Sequence, residues 1–299
     1  MRAVSRLAIV VVALAVIGGA AAAQGYVGPF RFAAKPLAVA SRGETIPAVL
    51  TLPLREGAFP LVVMAHGHGG SKDENGGFAA IAESLAARGV ASVRMDFPGC
   101  GSSSEPFARN NITNMLADLR AARAAAIAAA SIDARRVGIF GYSMGGRLAI
   151  LSGGEGYKSL GLLAPVGLAG PSPMYTFMGG SEKYAALSSK AAAEGHVLFT
   201  TPYGQVQDLG RQWFDDNAKA DCLGAIAAFS GPVLFVTGTA DTIIPLEHVQ
   251  QTAQAALKSP CVELVQVAGA DHGYGFYGGD PAIKVQVVEA VASFFALTL

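Results

Sequence analysis

Val137-Gly138-Ile139-Phe140-Gly141-Tyr142-Ser143-Met144-Gly145-Gly146 is the stretch on which the fold turns. Val137 to Tyr142 is an apolar run without the in-out alternation of a half-exposed strand, so it reads as a strand covered on both faces. Met144 to Leu151 reads as a helix. Ser143 lies between them, in a turn flanked by Gly141 and Gly145. Such a turn has no room for a side chain on either flank. It pushes the serine hydroxyl clear of the backbone at a helix N-terminus, where developing negative charge is favoured. Ser143 is therefore the candidate nucleophile.

The same rhythm extends in both directions. Apolar strands are expected at Leu61 to Ala65, Val90 to Met95, Leu160 to Ala164, Val233 to Thr237 and Val262 to Val267. Helices are expected at Phe78 to Arg88, Asn111 to Ala130, Leu246 to Leu257 and Ile283 to Phe295. Pro245 and Pro281 stand near the starts of the last two, where a missing N–H costs little. An opening hairpin comes from Leu37 to Ala40 and Ile46 to Leu52. Strands alternating with helices give an α/β class with a mostly parallel, doubly wound sheet. Pro165 to Ser230 breaks the rhythm. A connection that long is usually functional, and it is read as a cap inserted over the active site.

Composition sets the outer limits. With 52% hydrophobic and 15% charged residues and a net charge of zero, the chain can bury a large core. It has no charge excess that would suit nucleic acid or an anionic membrane surface. Arg2 and Arg6 precede an apolar run from Leu7 to Ile17 and then Ala21-Ala22-Ala23, the pattern of a cleaved export signal. The expected mature domain spans 24–299, in the periplasm or secreted, with no stable membrane insertion. In an oxidising compartment Cys222 and Cys261 are the pair to test for a disulfide, leaving Cys100 free. Cys100 reads as a small buried hydrophobe.

A serine hydroxyl needs a base to take its proton. His272 lies just past the strand ending at Val267, and Asp241 just past the one ending at Thr237, in the order nucleophile, acid, base. Asp271 and Asp96 are rival acids. Asp271 neighbours His272 on a loop where adjacent side chains tend to point apart, and Asp96 reads as a structural carboxylate. His66-Gly67-His68-Gly69-Gly70 follows a strand directly, so the His68 N–H and the Met144 N–H are the expected oxyanion donors. No carboxylate or cysteine cluster accompanies the two histidines, and neither metal nor cofactor is expected. In the cap, Phe177, Tyr203, Trp213 and Phe214 are candidate pocket aromatics.

Together these motifs carry a resemblance. HGHGG at His66 to Gly70, RMDFPGCGS at Arg94 to Ser102, GYSMGG at Gly141 to Gly146, GTADTIIP at Gly238 to Pro245 and GADHGY at Gly269 to Tyr274 resemble the α/β-hydrolase superfamily. Within it the likeness is to bacterial feruloyl and cinnamoyl esterases and monoglyceride-lipase-like enzymes, over about Leu37 to Phe295. The resemblance implies the α/β-hydrolase fold, a cap at 165–230, and Ser143, Asp241 and His272 as a triad. It implies hydrolysis of carboxylic esters, with a small-molecule ester as partner. An amidase or peptidase, a polyester or lipid hydrolase, and a non-catalytic binding protein on the same scaffold are the alternatives. Cys100 departs from the pattern, standing where relatives usually carry His.

Overall fold

The computed structural model describes residues 9–14 and 29–299, the former as backbone alone. Among the described residues there are eleven strands and nine α-helices, and from β4 to β7 and from β10 to α9 they follow the expected alternation. Strand β1 (Ile9–Leu14) is followed by the hairpin β2 (Phe32–Ser41) and β3 (Glu44–Pro53). Then come β4 (Phe59–Ala65), α1 (Gly77–Ala87), β5 (Ala91–Met95), α2 (Ile112–Ala129), β6 (Ile132–Tyr142), α3 (Met144–Ser152) and β7 (Leu160–Leu163). The 165–230 segment holds α4 (Tyr175–Met178), α5 (Ser181–Glu194), β8 (His196–Thr200), β9 (Val206–Gly210), α6 (Arg211–Lys219) and α7 (Cys222–Ala228). The chain closes with β10 (Val233–Gly238), α8 (Leu246–Gln254), β11 (Val262–Val267) and α9 (Pro281–Thr298).

Nine strands form one sheet in the order β1-β11-β10-β7-β6-β4-β5-β3-β2. Neighbours from β1 to β5 pair in parallel; β3 pairs antiparallel with both β5 and β2. All seven residues of β4 are buried, as are all six of β10, because helices cover both faces. Helices α1 and α9 pack on one face. On the other, α2 and α3 pack together and α7 joins α3 to α8. Among the described residues, α9 is the one helix long and apolar enough to cross a membrane. Here it lays Val287, Val291 and Phe295, all fully buried, against the sheet and α1.

The chain runs from β4 outward to β5, then crosses back to β6 on the other side of β4. Crossovers thus diverge between β4 and β6, and the crevice beyond the carboxyl ends of these two strands is where such sheets place ligands. The loop after β4 begins at His66; the turn after β6 holds Ser143.

Three expectations need correction or completion. The opening hairpin is longer than its apolar residues suggest, pairing from Phe32 with Pro53 to Ser41 with Glu44. The cap carries the β8–β9 hairpin, which the sequence did not announce. Cys100, Cys222 and Cys261 are all free thiols; Cys222 is buried and Cys261 exposed, so the expected pair does not meet. Of the expected leader, residues 1–8 and 15–23 lie outside the described residues, and Ile9–Leu14 is the outermost strand, parallel to β11.

Candidate active site

Ser143 has φ 54° and ψ −114°, a left-handed conformation that costs a non-glycine residue about 1–3 kcal/mol. The surroundings hold it there. Its N–H donates to the Leu163 carbonyl at 2.9 Å, and its carbonyl accepts from the Val166 N–H at 3.1 Å. The flanking glycines are required by close approach: a Cβ on Gly141 would stand 2.1 Å from the Gly145 carbonyl oxygen, and one on Gly145 would stand 1.9 Å from that of Ala65.

Two loops converge on this hydroxyl. The turn after β10 carries Asp241 and the loop after β11 carries His272. The His272 Nε2 lies 3.1 Å from Ser143 Oγ, and its Nδ1 lies 2.8 Å from Asp241 Oδ2. With Nδ1 donating to the carboxylate, Nε2 faces the serine as an acceptor. Asp241 is 7% exposed and its acceptor sites are filled. The N–H groups of Ile243 and Ile244 donate to Oδ1 at 2.9 Å each, and the Tyr274 hydroxyl donates to Oδ2 at 3.0 Å. The rivals face elsewhere. Asp271 is exposed and accepts from the Gly273 N–H at 2.9 Å. Asp96 holds Lys72 Nζ at 2.6 Å and the Ser102 N–H and hydroxyl, and pins the turn around Cys100.

Sequence reasoning missed two tyrosines. Tyr142 donates its hydroxyl to the His272 carbonyl, and its ring lies 5.3 Å from the imidazole. Tyr274 accepts from the Gly238 N–H at 2.8 Å while donating to Asp241. Burial holds both phenols well above their usual pKa, so both remain donors. Their signal was proximity in sequence, one beside Ser143 and the other two residues past His272. Tyr274→Phe leaves the Gly238 N–H without its acceptor and is expected to cost about 1–3 kcal/mol, read as a lower urea midpoint at unchanged m-value.

His68 and Met144 line the cavity around Ser143. The His68 ring is packed among Phe107, Phe177 and Trp213, and burial pushes its pKa down to about 4. Neutral, it donates from Nε2 to Gln207 Oε1 at 2.7 Å. Gln207 donates to Gln205 at 3.0 Å, and Gln205 donates to the Gly69 carbonyl at 3.1 Å. The cap hairpin thus holds the loop after β4 from above. His66 is also pushed down to about 4 by burial and accepts from the Phe97 N–H at 3.1 Å, a structural role. Burial pushes the Cys100 thiol up to about 12, which removes it as a nucleophile. Among the described residues no group of three or more His, Cys, Asp or Glu is placed to hold a metal ion.

The cavity measures about 640 Å³, within the usual range for small-molecule sites. Phe177 and Tyr203 line it, with Met174, Val166, Ile243 and Ile244 forming an apolar wall. Trp213 does not line it. At 1% exposure it is core to the cap, edge-to-face with Phe214 at 4.9 Å between ring centres, and Phe214 is 3% exposed. Large aromatics gain most when fully enclosed, and α6 turns both inward.

A strand-turn-helix serine backed by an imidazole and a carboxylate at the ends of parallel strands defines a hydrolase class. Residues 62–283 match the model of the alpha/beta hydrolase family, and the chain belongs to that family. Among solved structures, Est1E from Butyrivibrio proteoclasticus with ferulic acid bound superposes with a TM-score of 0.68 at 20% identity, over 88% of this chain and 98% of that one. The monoacylglycerol lipase of Paleococcus ferrophilus gives 0.65 at 16% identity, over 85% and 99%. The acylaminoacyl peptidase of Pyrococcus horikoshii gives 0.68 at 16%, over 90% of this chain and 42% of that one. These are likenesses of fold. The quorum-quenching protein AidA of Acinetobacter baumannii (strain MDR-ZJ06) is 39% identical over 100 residues, 33% of this chain and 32% of that protein.

Proposed function

We propose that this hydrolase cleaves carboxylic esters through an acyl-enzyme on Ser143. The observation that carries the reading is the hydrogen-bonded line Ser143 Oγ, His272, Asp241, at 3.1 and 2.8 Å. In the proposed reaction Ser143 Oγ attacks the ester carbonyl carbon as its proton passes to His272 Nε2. The carbonyl oxygen takes up negative charge between the His68 and Met144 N–H groups, where each donor is worth about 100- to 1,000-fold in rate. As the C–O bond breaks, His272 returns the proton to the leaving alcohol. Water then attacks the acyl-serine, giving its proton to His272, and the acid leaves as Ser143 regains its hydrogen. Asp241 keeps the imidazole in the productive tautomer and stabilises its charged form without taking the proton.

The apolar wall of Met174, Phe177, Val166, Ile243 and Ile244 suits an acyl or aryl group of small to medium size. The cap supports such substrates over polyesters, which need an open cleft. The partial match to a quorum-quenching protein adds quorum signals to the substrate panel. We further propose export, with a mature chain beginning after Ala23; N-terminal sequencing of the protein recovered from periplasm or medium tests it.

Two measurements test the function. A fluorophosphonate probe is expected to label wild-type protein at Ser143, and p-nitrophenyl acetate and butyrate to turn over faster than matching p-nitroanilides. A folded protein that takes no label belongs instead to the binding class. Anilides turned over as fast as esters would favour a peptidase or amidase.

A further inference from the structure

Glu74 lies in a polar run, Ser71-Lys72-Asp73-Glu74-Asn75, that reads as a solvated turn, yet it is fully buried in the wall of the cavity beside Ser143. Burying a carboxylate costs several kcal/mol unless its lone pairs are used. One oxygen, Oε1, accepts the Gly67 N–H at 2.7 Å. Gly67 immediately precedes His68, whose N–H is one of the two proposed oxyanion donors. The other oxygen accepts the hydroxyl of Tyr277, five residues past His272 on the same loop. Asn75 adds a parallel tie, donating from Nδ2 to the Phe276 carbonyl at 2.7 Å.

Two features show how firmly this corner is built. Glu74 and Asn75 have φ of 41° and 49°, two consecutive non-glycine residues in the left-handed region, which persists only where the surroundings fix it. A Cβ on Gly70 would stand 2.4 Å from Glu74 Oε1, so the loop has closed directly over the carboxyl group.

We propose that Glu74 and Tyr277 form a latch that fixes the oxyanion loop, residues 66–70, relative to the loop carrying His272. The inference rests on the Ser143 reading above and assigns a role to two residues outside the triad. Glu74 is a positioning residue: it acts through the Gly67 N–H on one side and Tyr277 on the other. The hole and the base arrive on separate loops after β4 and β11. Each has to be placed within a fraction of an ångström, since a 1 Å error costs about 100-fold in rate.

The latch has a pH signature. Burial holds the Glu74 carboxyl up at about 7, against the opposing pull of the Tyr277 hydroxyl and the Gly67 N–H. The titratable groups facing it are Tyr277 and His272 from the histidine loop, Tyr142 from β6 and Cys100 from the turn after β5. Above that pH the carboxylate accepts from both partners. Below it, one oxygen carries its own proton, the Tyr277 bond is reversed or lost, and activity falls.

The test is the pH dependence of kcat/KM for p-nitrophenyl butyrate in the full chain, with fluorophosphonate labelling alongside. In the wild type activity is expected to fall on the acid side as Glu74 takes up its proton. Glu74→Gln is expected to remove that part of the limb and to lower kcat about 10- to 100-fold, with KM within twofold. Tyr277→Phe removes the hydroxyl that draws the carboxyl's pKa down, so its limb moves to higher pH. Tyr277 is 55% exposed and this variant keeps the ring, so it decides the matter if Glu74→Gln does not fold. Wild-type labelling and turnover, with both variants keeping the wild-type limb and kcat, would overturn the latch alone. Wild-type protein that neither labels nor turns over overturns the Ser143 reading, and the latch with it.

Discussion

Alanine at position 143 is expected to lower kcat for p-nitrophenyl butyrate by about 10⁶-fold and to abolish fluorophosphonate labelling. That loss corresponds to about 8 kcal/mol of transition-state stabilisation. It is large because the three groups act as a unit: His272 has no proton to take once the hydroxyl is gone, and Asp241 orients an imidazole without a task. His272→Ala should therefore cost nearly as much as Ser143→Ala, and the double variant little more than either. Asp241→Asn is expected to cost about 10⁴-fold. An amide at 241 would present its NH2 or its oxygen to a carboxylate site already filled by the Ile243 and Ile244 N–H groups at 2.9 Å and by Tyr274 at 3.0 Å. Whichever way it turns, donors face donors or Nδ1 loses its acceptor, and the imidazole shifts tautomer. Stopped assays with each purified variant check the series. Activity of Ser143→Ala within tenfold of wild type would sink the proposed mechanism.

What could be read in the sequence was what local geometry dictates. The Gly141 to Gly145 turn is constrained by atoms within two residues of Ser143 and a single neighbouring strand, so its residue types announce it. Strands β4 and β10 and the second half of β6, Val137 to Tyr142, are buried on both faces, and continuous apolar runs mark them. The start of β2 gave no such signal, because Phe32 to Pro36 are exposed and the strand there is held by its ladder with β3. The same holds for β8, where Leu198 is 64% exposed and spoils the alternation of Val197 and Phe199.

Illegible parts depend on where distant segments come together. An aromatic in the cap is equally suited to cap core or pocket wall; Trp213 became the first and Phe177 the second once the cap elements had packed on one another. Glu74 reads as a solvent residue because its neighbours are polar. The 66–70 loop and the return of the 271–280 loop together make the site buried. The four donors around Asp241 come from two stretches, 243–244 and 272–274, and no spacing rule links Gly238 to Tyr274. The Ser143–His272–Asp241 geometry needed the sheet order, which sets β11 beside β10 and leaves only β7 between β10 and β6.

Arg147 shows how far such dependence reaches, and its replacement by Met is expected to destabilise the fold by about 3–5 kcal/mol, because several acceptors are left unsatisfied. The residue is fully buried on α3, one turn past Ser143. Strand β7 ends at Leu163, Ala164 swings to φ 41°, and the chain leaves for the cap, buried as far as Gly167, with no ladder to join. Its carbonyls still need donors. Arg147 supplies them: Nε donates to the Val166 carbonyl at 3.0 Å, and Nη2 to those of Leu168 at 3.0 Å and Gly170 at 2.9 Å. Nη1 donates to Asn217 Oδ1 in α6 at 2.8 Å, fixing the cap helix to the nucleophile helix. Burial lowers the guanidinium's pKa, yet the group has four uncharged oxygens in place of a carboxylate. Methionine fills much of the volume and satisfies none of them. A loss of this size is a large fraction of the net stability of an ordinary domain, so the variant should show a markedly lower urea midpoint and early proteolysis within 165–230. Because Asn217 shares the network, Arg147→Met with Asn217→Leu should lose less than the sum of the two single variants. Additive losses would mean that Arg147 acts on the loop carbonyls alone and leaves the cap helix to other contacts.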